Sequence, residues 1–583
     1  MVNVMLAALE LLALATTTYG KIDRKAVVHK FNPQRTASSN STPLQVGNGN
    51  FAFGADITGL QTFLPYNTLS SWAWHNSSLP TTPEQTQPSD FTGLDWQTHG
   101  RLVNYDQPNP AEAKISQWMI ANPNRVNLGR VGLWLDGKNA TEVDISDATQ
   151  TLDQYTGTLT SSFCWEGRKV QVVTIADPYS STIAVELESE LLVNGSLGIY
   201  LDFPYMTDKL KFEDPFVGVW NATAKHTTKL LHQGPQQARI QHNEDSTTYF
   251  TTVHWDGEAE MTAPLPQTHQ FTLRPSGHAT KLSLTVSYHT TGSPEMTPFY
   301  NPDGEGTRIN TSPTLIRTAS VAYWQHFWEH GAFIDMTRAS DPNATELQRR
   351  VIQSQYLLAV NEAGFDPPQE SGLTNNGWYG KFHAEMFAWH LGHWGRWGRW
   401  ELLNRSMPGV YQRFLPSSVE RARLQGYKGA RWGKMSDPTG RSAPGEINSL
   451  LIWQQPHPMQ FAEYQWRAFP CSETLQKWDE VLYQTAEFMA DYAFWNASTG
   501  VYDLGPPMYP VSENTNPNAT VNPTFELAYW RFGLDVASRW QQRQGKAVPG
   551  KWTHVAENLA KLPVQKGTYV IYEGIEDMCR LEL

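Results

Sequence analysis

Cysteine is scarce: Cys164, Cys471 and Cys579 are the only three in 583 residues. They form no cluster and no CxxC pair, which excludes a structural zinc knot or a dithiol redox centre and leaves room for one internal disulfide at most. Charge is sparse too. Only 17% of residues are Asp, Glu, Lys or Arg, the formal net charge is −12, and no Lys/Arg run occurs. Nucleic-acid partners demand a basic stripe, so none is expected. No later stretch is long and apolar enough to span a bilayer, so no membrane partner is expected. His383-Ala-Glu385 is not an HExxH pattern. His390 and His393 would share a helix face, but histidines in such places more often hydrogen-bond or pack, so no metal and no cofactor is expected.

Aromatics are plentiful, with 23 Trp, 23 Tyr and 24 Phe. Most build core, while a few can stack on the C–H face of a sugar ring. Residues 1–20 combine a short apolar stretch with small residues towards the end and read as a secretory signal peptide, although Glu10 interrupts it and no basic residue precedes it. Asn-x-Ser/Thr occurs at Asn40, Asn76, Asn139, Asn194, Asn221, Asn310, Asn343, Asn404, Asn496 and Asn518. Sequons spread over the whole chain fit a secreted, extracellular glycoprotein.

The chain changes character once. From 21 to about 312 it reads as β: alternating runs such as Ser181–Glu188 and Lys281–Tyr288 recur between turn residues, which predicts a large antiparallel β-sandwich. Residues 313–342 read as a helical linker. From 343 to 583, amphipathic helices alternate with loops rich in Gly, Pro and Trp. In the first, Leu347, Val351, Ile352, Tyr356, Leu357 and Val360 recur at helical spacing. Further helices are predicted over Leu475–Phe494, Phe525–Gln544 and Lys551–Leu562. The fold class expected is a β-sandwich (supersandwich) followed by an (α/α)6-type toroid.

Four helical-region segments, 375–394, 429–438, 452–458 and 502–515, mix aromatics with polar side chains. Recognition of polyhydroxylated rings requires that mixture, so the expected partner is a carbohydrate. Trp378, Trp432 and Trp453 are candidate subsite walls. Lys381, His383, Lys434, Gln454, Gln455 and His457 are candidate readers of hydroxyls. Glycoside hydrolysis needs one carboxylic acid to protonate the leaving oxygen and a second carboxylate to activate water or attack carbon. Glu385, Glu446, Glu513 and Glu526 are the candidate acids, most of them beside aromatic residues that would raise their pKa. The residue pattern alone does not choose among them.

Leu44–Asp56 (LQVGNGNFAFGAD), followed by Leu64–Trp72, resembles the opening of glycoside hydrolase family 95, the 1,2-α-L-fucosidase type, and more distantly family 65. Gln353–Leu358, Lys381–Trp389, Phe461–Trp466 and Tyr509–Thr515 are similar, in order, to that family's later motifs. The resemblance implies a six-hairpin glycosidase with a sandwich, a helical linker and an (α/α)6 catalytic barrel. It assigns the general acid to Glu513, while Glu526 falls at an acidic helix position that shapes the pocket or binds a hydroxyl. Two asparagines of the family are replaced here by Lys381 and His383, which puts fucose specificity in doubt. The general-base aspartate has no counterpart. Residues 340–583 have room for eight or nine of twelve barrel helices, so a C-terminally incomplete toroid is expected.

The expected function is therefore secreted, inverting glycoside hydrolysis of an oligo- or polysaccharide. The alternatives are a non-catalytic carbohydrate-binding remnant, favoured by the missing base, and a phosphorylase with Lys381, Arg431 and Lys434 around phosphate.

Overall fold

The structure is a computed structural model that describes residues 22–206, 217–262, 267–290, 311–375, 377–445 and 447–575. The expected signal peptide, Asn310, Glu446 and Cys579 lie outside them. Of the other cysteines, Cys164 and Cys471 are free thiols.

The first half is dominated by a nine-stranded antiparallel sheet. Its strands are β1 (Gln34–Arg35), β2 (Ile145–Asp153), β3 (Thr158–Trp165), β4 (Arg168–Ala176), β5 (Thr182–Glu188), β6 (His226–Gly234), β7 (Gln237–Glu244), β8 (Thr247–Trp255) and β9 (Lys281–His289). The spatial order is β1-β2-β3-β4-β5-β9-β8-β7-β6. Alternation in sequence becomes alternation in burial. Along β7, Ala238, Ile240, His242 and Glu244 are buried while their neighbours are half-exposed, as a pleated strand with one covered face requires. A second, four-stranded sheet joins Arg130–Leu135, Leu197–Asp202, Ala259–Thr262 and Phe271–Pro275.

Eleven α-helices occur among the described residues: α1 (Arg24–Lys30), α2 (Ala113–Ala121), α3 (Pro313–Glu329), α4 (Asn343–Asn361), α5 (Phe387–Arg396), α6 (Trp400–Ser406), α7 (Gly409–Leu424), α8 (His457–Ala468), α9 (Ser472–Tyr492), α10 (Thr524–Arg543) and α11 (Gly550–Asn558). Helix α3 stops at Glu329, inside the expected helical linker of residues 313–342. Gly331 there has φ +69°, and a Cβ on it would lie 2.5 Å from the Trp397 carbonyl oxygen, so the chain turns where only glycine fits. Helix α11 ends at Asn558, before Pro563. Helices α9 and α10 form an antiparallel pair: Trp530 Nε1 donates to Met489 O near the end of α9, and Trp540 Nε1 to Leu475 O near its start.

One continuous apolar core runs from the sheet (Val172, Leu284, Val286) into the helices (Trp328, Trp394, Trp478, Trp530). The GNG segment fastens the two halves. Asn48 Oδ1 accepts from the backbone N–H of Asn50 and Phe51, and Asn48 Nδ2 donates to Asp177 O and Ser180 O. Gly49 N donates to Val360 O at the end of α4. Gly49 has φ +91°, and a Cβ there would sit 2.5 Å from the Ala363 carbonyl carbon. Close backbone packing explains this glycine without any catalytic role.

Candidate functional site

Short β-bridges assemble the candidate site from four loops. Phe382 pairs with Ser436 and His383 with Met435, and Ala384 N donates to Lys434 O at 2.7 Å. That ladder sets His383, Glu385 and Lys434 side by side. A bridge between Gln369 and Phe382 delivers Glu370, and one between Leu451 and Tyr509 delivers the loop carrying Glu513.

The result is a cluster around one imidazole nitrogen. His383 Nδ1 lies 3.2 Å from Glu385 Oε1, 3.4 Å from Glu370 Oε2 and 3.3 Å from Lys434 Nζ. Lys434 Nζ also pairs with Glu385 Oε1 at 2.9 Å, with both side chains almost wholly buried. Glu385 and Glu370 are driven in opposite directions. Burial opposes ionisation of Glu385, but the charges of Lys434 and His383 and their hydrogen bonds outweigh it, and its pKa falls below the ordinary value. Glu370, farther from the lysine, is pushed up by burial, partly offset by His383 and Lys434 and reinforced by the negative charges of Glu385 and Glu513. Opposed shifts on neighbouring carboxyls are a device for dividing acid and base work. Three buried polar atoms of the cluster make no hydrogen bond to any described residue: Glu370 Oε2, Glu385 Oε2 and His383 Nε2. Buried polar groups in that state mark a place where a polar ligand would be stabilised.

Trp378 covers the cluster, its indole 4.8 Å from Lys434 Nζ and 5.5 Å from the His383 ring. Trp378 and Tyr379 are consecutive left-handed residues, with φ +51° and +60°. Each side chain held there costs about 1–2 kcal/mol, a strain that clusters at functional sites.

His457, on the first turn of α8, stands behind the cluster. Its Nε2–H donates to the Glu385 carbonyl at 2.8 Å, and Nδ1 faces Tyr529 Oη at 2.7 Å. Burial lowers its pKa to about 4, which leaves the imidazole neutral. Glu526 accepts the Val511 N–H at 2.6 Å and so braces the Glu513 loop from beneath. Its pKa is raised to about 7 by burial.

Four of the sequence candidates are engaged in contacts within the protein. Lys381 Nζ is buried and donates to Met119 O and Asn122 O. Gln455 is spent on the Trp432 backbone, accepting from its N–H and donating to its carbonyl, and Gln454 Nε2 donates to Trp432 O and Leu451 O. Trp432 is core, with Nε1 bonded to Thr485 Oγ1. Trp453 is also buried, but it packs against Trp389, His457 and Phe525 and edges a groove of about 550 Å³ between α5, α8 and α10, lined further by Gln460, Tyr464 and Tyr529. Trp389, 67% exposed, is the open aromatic face of that groove. A larger cleft on the strand side, lined by Arg130, Trp134, Lys138 and Glu142 among others, includes none of the candidate residues.

Sequence reasoning missed Glu370 and Trp389. Glu370 sits in a breaker-rich loop between Pro367-Pro368 and Gly372 with no motif of its own. Its proximity to the NGWYGKFHAE segment, bounded by the same loop, is the one signal that could have drawn attention to it.

No known protein family and no curated protein matches the chain. Solved structures do. One described as a kojibiose phosphorylase from the human microbiome superposes with a TM-score of 0.62 at 12% identity, covering 95% of this chain and 71% of that one. A bacterial glucoamylase complexed with acarbose follows at 0.48 and 10% identity, covering 90% of this chain and 67% of that one. The likeness to the first establishes a shared fold, and fold by itself does not carry activity.

Proposed function

We propose that the protein is a secreted glycoside hydrolase that cleaves a glycosidic bond in an oligo- or polysaccharide with inversion, with Glu513 as general acid and Glu370 as the partner that activates water. The observation that carries this reading is the carboxyl cluster: Glu370 feels the charge of Glu513 and shares an imidazole nitrogen with Glu385, and that imidazole packs against Trp378. In the reaction, Glu513 gives its proton to the departing oxygen. Water attacks the anomeric carbon from the opposite face and passes a proton to Glu370, yielding an alcohol and an inverted hemiacetal. The anionic Glu385 offsets positive charge developing on the sugar ring. A carboxylate raised towards neutrality is a better base than an ordinary one, which suits Glu370 to the role the sequence left vacant.

The cations proposed for phosphate are otherwise engaged, which disfavours phosphorolysis. Lys434 pairs with Glu385, Lys381 holds loop carbonyls, and Arg431 donates to Gln425 and Ser449. Eight of the nine described sequon asparagines are exposed, with Asn496 half-buried, which supports glycan attachment during export. A mass shift removed by an endoglycosidase after expression in a secreting host tests that part.

The test of activity is release of reducing ends from aryl glycosides and wall oligosaccharides by the wild type, Glu513→Gln and Glu370→Gln, with the first-formed anomer read by NMR. Each substitution is expected to lower turnover roughly 10²–10⁴-fold, the range for general acid–base groups. Unchanged turnover in Glu513→Gln removes it as the acid. A requirement for inorganic phosphate favours the phosphorylase reading, and retained sugar binding without turnover the non-catalytic one.

A further inference from the structure

A second group of reactive side chains lies in the β half, remote in sequence from the cluster above. Strands β6 and β7 pair in a register that sets His226 opposite Glu244 and Thr228 opposite His242. Two-residue periodicity places His242 and Glu244 on the same face of β7. His226, His242 and Glu244 are all buried, and one ligand atom from each lies within 4.8 Å of the other two. His226 Nδ1 and His242 Nε2 are 2.7 Å apart, and His242 Nε2 is 3.4 Å from Glu244 Oε1.

We propose that His226, His242 and Glu244 form a structural site for a divalent transition ion, zinc by chemical preference. Two imidazoles with one carboxylate suit zinc, whereas calcium and magnesium call for oxygen-rich shells. Two ligands of a tetrahedral zinc lie about 3.3 Å apart at metal–ligand distances near 2.0–2.1 Å. An ion therefore requires the two imidazoles to part by about 0.6 Å, a shift within rotamer relaxation.

An independent observation points to a ligand. Glu244 Oε1 is fully buried and accepts no hydrogen bond from the described residues, while Glu244 Oε2 is held by the Met206 N–H at 3.2 Å. One oxygen is thus fixed by the backbone and the other is offered to the cluster. The surroundings would hold such a site rigid. His269 packs against His226 with ring centroids 3.8 Å apart and planes tilted by 36°, and is itself pinned by Thr228 Oγ1 and Thr223 O. Tyr249 packs edge-on to His242 at 4.6 Å. Because the ligands are buried, the ion would clamp the β6–β7 hairpin and take no part in catalysis.

The experiment uses the full chain. Metal content is measured by mass spectrometry on protein purified without chelator. Chelator-treated protein is then titrated with Zn²⁺ and separately with Co²⁺, with thermal melting and visible absorption as readouts. About one zinc per chain, a melting temperature several degrees higher with Zn²⁺, and a tetrahedral Co²⁺ spectrum lost in His242→Gln and Glu244→Gln but kept in the variant of an exposed histidine outside the cluster, His278→Gln, support the site. Folded wild-type protein that takes up less than a tenth of an equivalent and melts alike with and without Zn²⁺ overturns it. So does a Co²⁺ spectrum that survives His226→Gln and His242→Gln together.

Discussion

Removing the Lys434 ammonium is the sharpest perturbation of the candidate site. Lys434 Nζ lies 2.9 Å from Glu385 Oε1, and the two side chains are 3% and 4% exposed. In Lys434→Met the Glu385 carboxylate keeps, among the described residues, His383 as its partner, and Glu385 Oε2 already accepts no hydrogen bond from them. Breaking one side of a buried pair costs about 3–5 kcal/mol, because the stranded charge has lost water as well as its partner. Glu385 has a lowered pKa in the folded protein, so its ionised form contributes stability above the ordinary glutamate pKa, and that contribution is lost as pH falls through the lowered value. Without the lysine the shift reverses and burial dominates. The deficit of Lys434→Met relative to wild type is therefore large at pH 7.5 and shrinks towards pH 4.5, where Glu385 can take a proton. Urea unfolding followed by tryptophan fluorescence at both pH values measures it. Glu385→Gln combined with Lys434→Met is expected to recover part of the loss at pH 7.5, since the double variant buries no charge. A deficit below about 1 kcal/mol, the range of exposed pairs, or one equal at both pH values refutes the reasoning.

Three further outcomes are expected. If Glu370 is the base, the acidic limb of kcat/KM lies above the ordinary glutamate range, because burial raises its pKa, and Glu370→Gln abolishes that limb. Trp389→Ala removes an exposed indole and is expected to change stability by less than about 0.5 kcal/mol, while weakening oligosaccharide binding roughly three- to tenfold, as loss of one stacking contact does. Calorimetric titration with oligosaccharides reads the second effect. Gly49→Ala meets both a left-handed φ and the Ala363 backbone. It is expected to destabilise by at least about 2 kcal/mol, seen as a lower melting temperature with no change in KM for enzyme that remains folded.

Much of the architecture is legible in the sequence. Alternation over Ser181–Glu188 and Lys281–Tyr288 corresponds to adjacent strands of the large sheet, and the helical spacing after Asn343 to α4. These are local properties: a period of two or 3.6 residues is written in neighbouring side chains. Helix ends were less legible, because Gly331 stops α3 through a contact with Trp397, sixty-six residues away in number but adjacent in space.

The candidate site was legible only in part. His383, Glu385 and Lys434 stand together as neighbours in one short ladder, yet Lys381, two residues from His383, points into a different loop and holds Met119 and Asn122. Gln454, Gln455 and Trp432 have the residue types of a sugar site and serve to fasten one loop to another.

The sequence by itself determined the order of β before α, the wealth of aromatics, the sequons and the supply of carboxyls. Composition and periodicity are properties of the unfolded chain too. Only the tertiary structure decided which carboxyls meet, which one Lys434 neutralises and which one burial leaves nearer its proton. It also decided that two histidines and a glutamate face one another across β6 and β7. Those outcomes depend on strand register and on distance from water, and neither is set until segments far apart in the chain have packed.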